Sequence, residues 1–204
     1  MMSAVGLDPA MLIALRAALA LLFAWAAFHK LRDVASFQEA VSNYELVPRR
    51  VTTIFAAGMI AAELSLAVSL PFAGGSGPAL GAAVLLATYT AAIVINLARG
   101  RVIDCGCSGP ARRRPVSGAL IARNCLVLLV ALSAALPPSS RSFAWIDVVT
   151  IIGSVVFLSL LYGVIDQVAA NSADLAVLHG AGGGQALRPP SPQAQAAAIG
   201  GAVQ

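Results

Sequence analysis

The sequence predicts an all-α integral membrane protein, a polytopic helical bundle of about five transmembrane helices with one short amphipathic interfacial helix. Composition is the first reason. Of the 204 residues, 59% are hydrophobic and 11% are charged, whereas a soluble domain carries roughly 25% charged residues. The second reason is that the hydrophobic residues form runs of about 20, the length of helix that crosses about 30 Å of hydrocarbon. Helices satisfy their own backbone groups, which lipid cannot do.

Five hydrophobic segments are long enough to span the membrane. They are residues 10–29, 51–72, 78–98, 118–136 and 144–165, within a few residues at each end. The first segment lacks a basic stretch before it and ends in Phe28-His29-Lys30-Leu31 instead of a small-residue cleavage site. We therefore interpret it as a retained span and not as a signal peptide.

The connection between the first two spans predicts the interfacial helix. Its apolar residues recur at spacings of three and four, and they are Val34, Phe37, Val41 and Tyr44. Asp33 is expected to cap the start and Pro48 to mark the end. An ordinary loop helix is the alternative.

Residues 1–166 are expected to form one membrane domain followed by a tail. Residues 167–204 are rich in Gly, Ala, Pro and Gln, a composition typical of disorder. No nucleic-acid role is expected from the net charge of +4, because the basic residues lie beside membrane segments with no aromatic residues interleaved.

The basic residues predict how the chain crosses the inner membrane. They concentrate in two connections, as Lys30, Arg32, Arg49 and Arg50 and then as Arg99, Arg101, Arg112, Arg113 and Arg114. The remaining connections carry Arg141 alone. Because cytoplasmic loops are rich in Lys and Arg, the N-terminus is predicted outside and the connection at 99–117 on the cytoplasmic side.

The pair Cys105 and Cys107, separated by Gly106, is the main candidate for chemistry. A disulfide between them would close a small ring, and departures from a Cα separation of about 5–6 Å store strain. Strained disulfides are easily reduced, which suits exchange. Neighbouring arginines favour the thiolate, although Asp104 opposes it. A structural disulfide or two inert thiols is the alternative. No metal is expected, because a structural zinc site needs four ligands.

Several polar residues are predicted to form an auxiliary pocket beneath the cysteine pair. They are Arg123, Asn124, Asn96, His29 and Lys30, all on that side of the membrane. Charges inside a span usually face the bundle interior or a partner, and snorkelling to the headgroups is the alternative. Cys125, in the fourth span, is either a small buried hydrophobe or a third thiol that resolves the pair.

Arg16 and Glu63 are the other charges within spans. Counted from the side opposite the cysteine pair, their depths differ by about 4–5 Å at 1.5 Å per residue. We predict an intramembrane ion pair between the first two spans, as a structural clamp or as part of a proton or quinone site.

Six short blocks of this sequence resemble the methylamine utilisation protein MauE family, within the wider DoxX-like group of small membrane proteins. The blocks are Phe28-His29-Lys30-Leu31-Arg32-Asp33, Tyr44-Glu45-Leu46-Val47-Pro48, Glu63, Asn96-Leu97-Ala98-Arg99-Gly100-Arg101, Asp104-Cys105-Gly106-Cys107-Ser108-Gly109 and Arg123-Asn124. The similarity runs from about residue 10 to 165.

The resemblance implies a part in maturing the small subunit of methylamine dehydrogenase, through disulfide formation or electron supply. The implied partners are a thioredoxin-like, MauD-like protein and that subunit, or another exported disulfide protein, all acting at the lipid bilayer. No cofactor is expected. Three hypotheses stay open: a thiol–disulfide oxidoreductase, a non-catalytic membrane assembly subunit, and a quinone- or small-molecule-binding DoxX-like protein.

Overall fold

The computed structural model describes residues 6–72, 75–100 and 118–186, and over these residues the protein is an all-α bundle. The helices are α1 (Pro9–Arg32), α2 (Val34–Asn43), α3 (Thr52–Phe72), α4 (Gly77–Ala98), α5 (Gly118–Ser133) and α6 (Trp145–Ala186). The fold class predicted from the sequence is therefore confirmed. In the described ranges the extended pairing is limited to one bridge, between Leu7 and Pro138.

Four of the helices are long and apolar enough to cross a membrane. These spans are Pro9–Arg32, Arg49–Phe72, Gly77–Ala98 and Trp145–Val168. The fourth predicted span, 118–136, corresponds to α5, an apolar helix of 16 residues, somewhat shorter than the roughly 20 residues that cross the hydrocarbon core.

Hydrogen bonds from the backbone of Leu7 and the side chain of Arg16 bring the first half of α1 beside the connections that follow α3 and α5. Leu7 donates its N–H to the carbonyl of Pro137 at 2.9 Å and accepts from the N–H of Ser139 at 2.7 Å. Arg16 donates to the carbonyls of Gly75 at 2.9 Å and Ala134 at 3.2 Å. We call this end of the bundle the N-terminal face. The end that holds α2, the last turn of α4 and the first turn of α5 is the α2 face.

The buried residues of α1 and α3 form a stripe along each helix, mostly at spacings of three and four. On α1 the stripe includes Leu19, Phe23, Ala27 and Lys30, and on α3 it includes Ala56, Ile60, Glu63 and Leu70. Such spacing places the residues on one helix face. Toward the N-terminal face the stripes are apolar. Toward the α2 face they carry polar side chains, which builds the site described below.

The predicted amphipathic helix is present as α2. Asp33 is its N-cap, with its carboxylate accepting from the Ser36 N–H at 3.0 Å and the Ser36 hydroxyl at 2.7 Å. Phe37 is buried against Ala56 and Ile60 of α3. The helix therefore folds back onto the bundle through its apolar side.

The Asp33 cap makes the stability of α2 depend on pH. The Ser36 N–H and hydroxyl bonds lower the pKa of Asp33, so the cap stabilises the folded state fully above the unfolded pKa of about 3.9 and is lost as pH falls through the lower folded pKa. Hydrogen exchange corrected for intrinsic rates should show α2 losing protection below about pH 4. Asp33→Asn caps without titrating, so its protection should not change over that range; an equal loss in both proteins would contradict the prediction.

The last helix is longer than the sequence predicts. Disorder is expected from residue 167, whereas α6 continues through Ala186. Residues 167–186 contain several Ala and Leu, which are strong helix formers, and they extend a helix already nucleated in the bundle. Residues 187–204 lie outside the described part of the chain.

Candidate functional site: a polar cluster inside the bundle

A buried ion pair joins α1 to α3. The Lys30 ammonium donates to Glu63 Oε1, and the Tyr89 hydroxyl of α4 donates to the same oxygen at 2.6 Å. Lys30 Nζ also lies 3.3 Å from the Tyr89 hydroxyl and 5.0 Å from the centre of the Phe37 ring. Glu63 is 0% exposed and Lys30 7% exposed. Three transmembrane helices and α2 therefore meet around one charge pair.

A second ion pair joins α5 to α6. Arg123 Nη1 donates to Asp166 Oδ1 at 2.5 Å, and Arg123 Nη2 donates to Asn124 Oδ1 at 3.1 Å. The guanidinium lies 5.6 Å from the centre of the Tyr162 ring. Both Lys30 and Arg123 are buried, so neither snorkels to the headgroups.

One cavity of about 510 Å³ connects the two ion pairs. Its polar lining comprises Lys30, Glu63, Tyr89, Arg123, Asn124, Ser159, Tyr162 and Asp166. The rest of the wall is mainly Leu, Val and Ala from α1, α5 and α6. The site is thus an apolar chamber with a concentrated polar end.

The ion pair predicted between Arg16 and Glu63 is replaced by the pair of Lys30 with Glu63. Helical side chains point toward the N-terminus of their own helix. Arg16 therefore extends toward the N-terminal face and its carbonyl partners, while Lys30 extends back into the bundle. Glu63 lies on the antiparallel α3, so its side chain extends toward the α2 face and meets Lys30. The similar depths of Arg16 and Glu63 along their helices therefore did not predict the pairing, because the direction of each side chain decides which partner it reaches.

The predicted auxiliary pocket assembles in part. Lys30, Arg123 and Asn124 line the one cavity. His29 is half-buried and is not among the residues lining the cavity; its ring lies 4.7 Å from that of Trp25. Asn96 is completely buried, and its side-chain amide donates to the carbonyl of Ala92 at 3.1 Å, but it is not among the residues lining the cavity.

Cys125 does not share the buried face of α5. Its side chain is exposed, while the preceding Asn124 is buried, because consecutive helical residues point about 100° apart. The interpretation of Cys125 as a buried hydrophobe is therefore wrong. Cys105 and Cys107 lie outside the described residues.

Three residues of the site were missed by the sequence analysis. Tyr89 counts as hydrophobic in a span, although its hydroxyl binds Glu63. Asp166 falls one residue beyond the predicted end of the last span, and Tyr162 supplies a ring beside Arg123. The spacing of Lys30 on the stripe Phe23-Ala27-Lys30 was the available signal for its burial.

Among the described residues, no group of three or more His, Cys, Asp or Glu residues could hold a metal ion.

Comparison with known proteins identifies the family. The family model described as methylamine utilisation protein MauE matches residues 8–137. A protein named methylamine utilization protein MauE from Paracoccus denitrificans is 40% identical over 131 residues, covering 63% of this chain and 70% of that protein. The protein of the same name from Paracoccus versutus is 39% identical over 156 residues, covering 74% of this chain and 84% of that protein.

More distant relatives carry the same name. The protein from Methylophilus methylotrophus is 33% identical over 168 residues, covering 76% of this chain and 84% of that protein. No solved structure matches this chain. The family match includes α1 to α5 and the Cys105-Gly106-Cys107 segment, whereas Tyr162 and Asp166 of α6 lie beyond it. This chain belongs to the MauE family of proteins involved in methylamine utilisation, and it is built as an all-α membrane bundle.

Proposed function

We propose that the protein is a thiol–disulfide exchange factor acting through Cys105 and Cys107 in the maturation of methylamine dehydrogenase. The observation that carries the proposal is the pair of thiols one residue apart, inside the region that matches the MauE family. Two thiols at that spacing can pass between dithiol and disulfide forms, and a tight ring favours exchange over permanent cross-linking.

The exchange step conserves atoms and electrons. The thiolate of one cysteine attacks a partner disulfide, forms a mixed disulfide and releases one partner thiolate. The second cysteine then attacks the mixed disulfide, which closes the Cys105–Cys107 bond and releases the other partner thiolate. The partner gains two electrons and the pair loses two; the two leaving thiolates take up the protons that the attacking thiols lose. The reverse sequence oxidises the partner.

The proposed partners are a thioredoxin-like, MauD-like protein and an exported disulfide protein such as the small subunit of methylamine dehydrogenase. We place the protein in the inner membrane, with the N-terminus outside and the cysteine pair on the cytoplasmic side, because the basic residues favour that orientation. On that side the pair does not oxidise an exported protein directly; it accepts electrons from the cytosol, which keeps thiols reduced, or relays them through the partner.

The polar cluster supports a role for the α2 face in this chemistry. Arg123 and Asn124 lie within two turns of the start of α5, and Asn96 lies in the last turn of α4. All three side chains are buried. The helix ends that flank residues 101–117 are therefore fixed by packing and hydrogen bonds, which gives a reactive segment a rigid base.

Growth on methylamine tests the proposal. In a Paracoccus denitrificans strain lacking its own MauE, we expect this chain to restore growth, and Cys105→Ser, Cys107→Ser and the double variant to abolish that restoration. Cys125→Ser is the matched control, because exchange by the pair needs only Cys105 and Cys107 and this variant removes the exposed thiol of α5; it should restore growth fully, and a loss of growth would instead make Cys125 the third thiol. Membrane levels are compared by immunoblot. Full restoration by the double variant at equal level would leave the assembly-subunit hypothesis in place of thiol exchange.

A further inference from the structure

We propose that the cavity between α1, α5 and α6 binds an uncharged, ring-bearing amphiphile drawn from the bilayer, of the quinone or quinol class. This binding site stands on the described residues alone and does not depend on thiol exchange. Its volume of about 510 Å³ falls within the roughly 300–1,000 Å³ typical of small-molecule pockets. A mainly apolar wall with a few convergent polar groups is also typical of such pockets.

The cavity reaches from the lipid-facing surface to the centre of the bundle. Trp25 lines it and is 63% exposed, while Phe23 and Glu63 also line it and are almost completely buried. Leu21 and Leu126, which are half-exposed, lie on the same wall. A molecule dissolved in the bilayer therefore has a lateral route between helices to the polar end.

The charges at the polar end favour a neutral ligand. Two cations, Lys30 and Arg123, line the cavity, and each is paired with an anion, Glu63 or Asp166. A phosphate or carboxylate headgroup would have to displace one of these anions from its buried partner, and an unpaired buried charge is strongly unfavourable. Neutral oxygen-bearing heads avoid that penalty, so phospholipids and fatty acids are disfavoured as occupants.

The hydrogen-bonding groups favour a head that both accepts and donates. Glu63 Oε2 is buried, and no described residue donates to it, so a hydroxyl that reaches this carboxylate would satisfy it. The Lys30 ammonium and the Tyr89 hydroxyl supply donors in the same cluster. Rings of Phe23, Trp25 and Tyr162 line the walls, which suits stacking with a flat ring. Quinones and quinols combine carbonyl or hydroxyl oxygens with such a ring.

Trp25 provides a built-in reporter for this binding. The chain has two tryptophans; Trp25 lines the cavity, whereas Trp145 is the first residue of α6 and is 80% exposed. The full chain is placed in phosphatidylcholine nanodiscs and titrated with decylubiquinone, which quenches indole fluorescence. Trp145→Phe, with Trp25 as sole reporter, should show saturable quenching. Trp25→Phe, with Trp145 as sole reporter, should show only unsaturable quenching that rises in proportion to the quinone added.

Two matched substitutions on α1 locate the binding site. Ala26 lines the cavity and Ala24 faces outward. In the Trp145→Phe background, Ala26→Leu should weaken the saturable binding by about tenfold, a factor within the range that overpacking penalties produce. Ala24→Leu should leave the binding unchanged. Quenching that never saturates, or equal saturable binding in the two leucine variants with native helical content, would overturn the proposal. Saturable quenching by a brominated-chain fatty acid in place of decylubiquinone would assign the cavity to a charged lipid and also overturn it.

Discussion

Replacing Lys30 with methionine is expected to lower the free energy of unfolding by about 3–5 kcal/mol, the range measured when one partner of a buried ion pair is removed. The methionine fills a similar volume but leaves the Glu63 carboxylate buried without a cation. Glu63 is completely enclosed, so the membrane interior offers its charge no water. The remaining Tyr89 hydroxyl bond compensates for only part of the loss.

The double variant separates a lost attraction from an isolated charge. Glu63→Leu together with Lys30→Met removes both charges, and replacing a buried pair by apolar residues is often neutral or stabilising. We therefore expect the double variant to be more stable than Lys30→Met alone. Arg32→Met is the control, because Arg32 is exposed at the end of the same helix, and its effect should stay within about 0.5 kcal/mol.

Reversible unfolding in mixed detergent micelles, followed by circular dichroism, gives the free energies of five proteins: the parent, Lys30→Met, Glu63→Leu, the double variant and Arg32→Met. If Lys30→Met is as stable as the parent protein, the buried pair contributes nothing. Strict additivity of the two single substitutions would also contradict the coupling that the contact implies.

Replacing Arg123 with methionine is the second large expected effect, lowering the free energy of unfolding by about 2–3 kcal/mol. The same physics applies, but the cost is smaller because Asp166 is 23% exposed and part of its charge stays solvated. The guanidinium also spans two acceptors, Asp166 and Asn124. Its loss leaves both side chains without their shared donor.

Arg123→Lys is the informative comparison for this site. Lysine keeps the charge but lacks the planar fork that binds two acceptors at once. We expect Arg123→Lys to lose less stability than Arg123→Met. We also expect the double variant Asp166→Asn/Arg123→Met to be more stable than Arg123→Met alone, because it no longer leaves an unpaired carboxylate. A lysine variant as unstable as the methionine variant would show that the planar guanidinium, through its two acceptors and its packing against Tyr162, and not charge alone, holds α5 to α6.

The sequence was sufficient to predict the bundle because membrane spans depend on simple properties. Hydrophobic length defined α1, α3, α4 and α6, and the spacing of Val34, Phe37 and Val41 defined α2. The Asp33 cap followed from its position before that apolar pattern. The extension of α6 was missed because Gly-rich composition after residue 167 resembles a disordered tail, although a helix already anchored in the bundle can propagate through it.

The polar site was predictable only in part, because side-chain direction was not taken into account. Glu63 was correctly singled out as a buried charge, but its partner depends on which way α1 side chains lean. Tyr89 was not predicted because it counts as a hydrophobic residue of its span. Asp166 was not predicted because the last span was expected to end one residue before it. Cys125 shows the same limit, since its depth in the span says nothing about which face it occupies.

A redox titration of Cys105 and Cys107 tests the central claim of thiol exchange most directly. The full chain carrying Cys125→Ser is equilibrated in bilayer nanodiscs with thiol–disulfide buffers, and the two cysteines are quantified by differential alkylation and mass spectrometry. We expect one two-electron transition with a midpoint less negative than about −300 mV, where labile and catalytic disulfides lie. Thiols that stay reduced in every buffer, or a disulfide with a midpoint below about −300 mV as in structural cross-links, would contradict the proposed exchange.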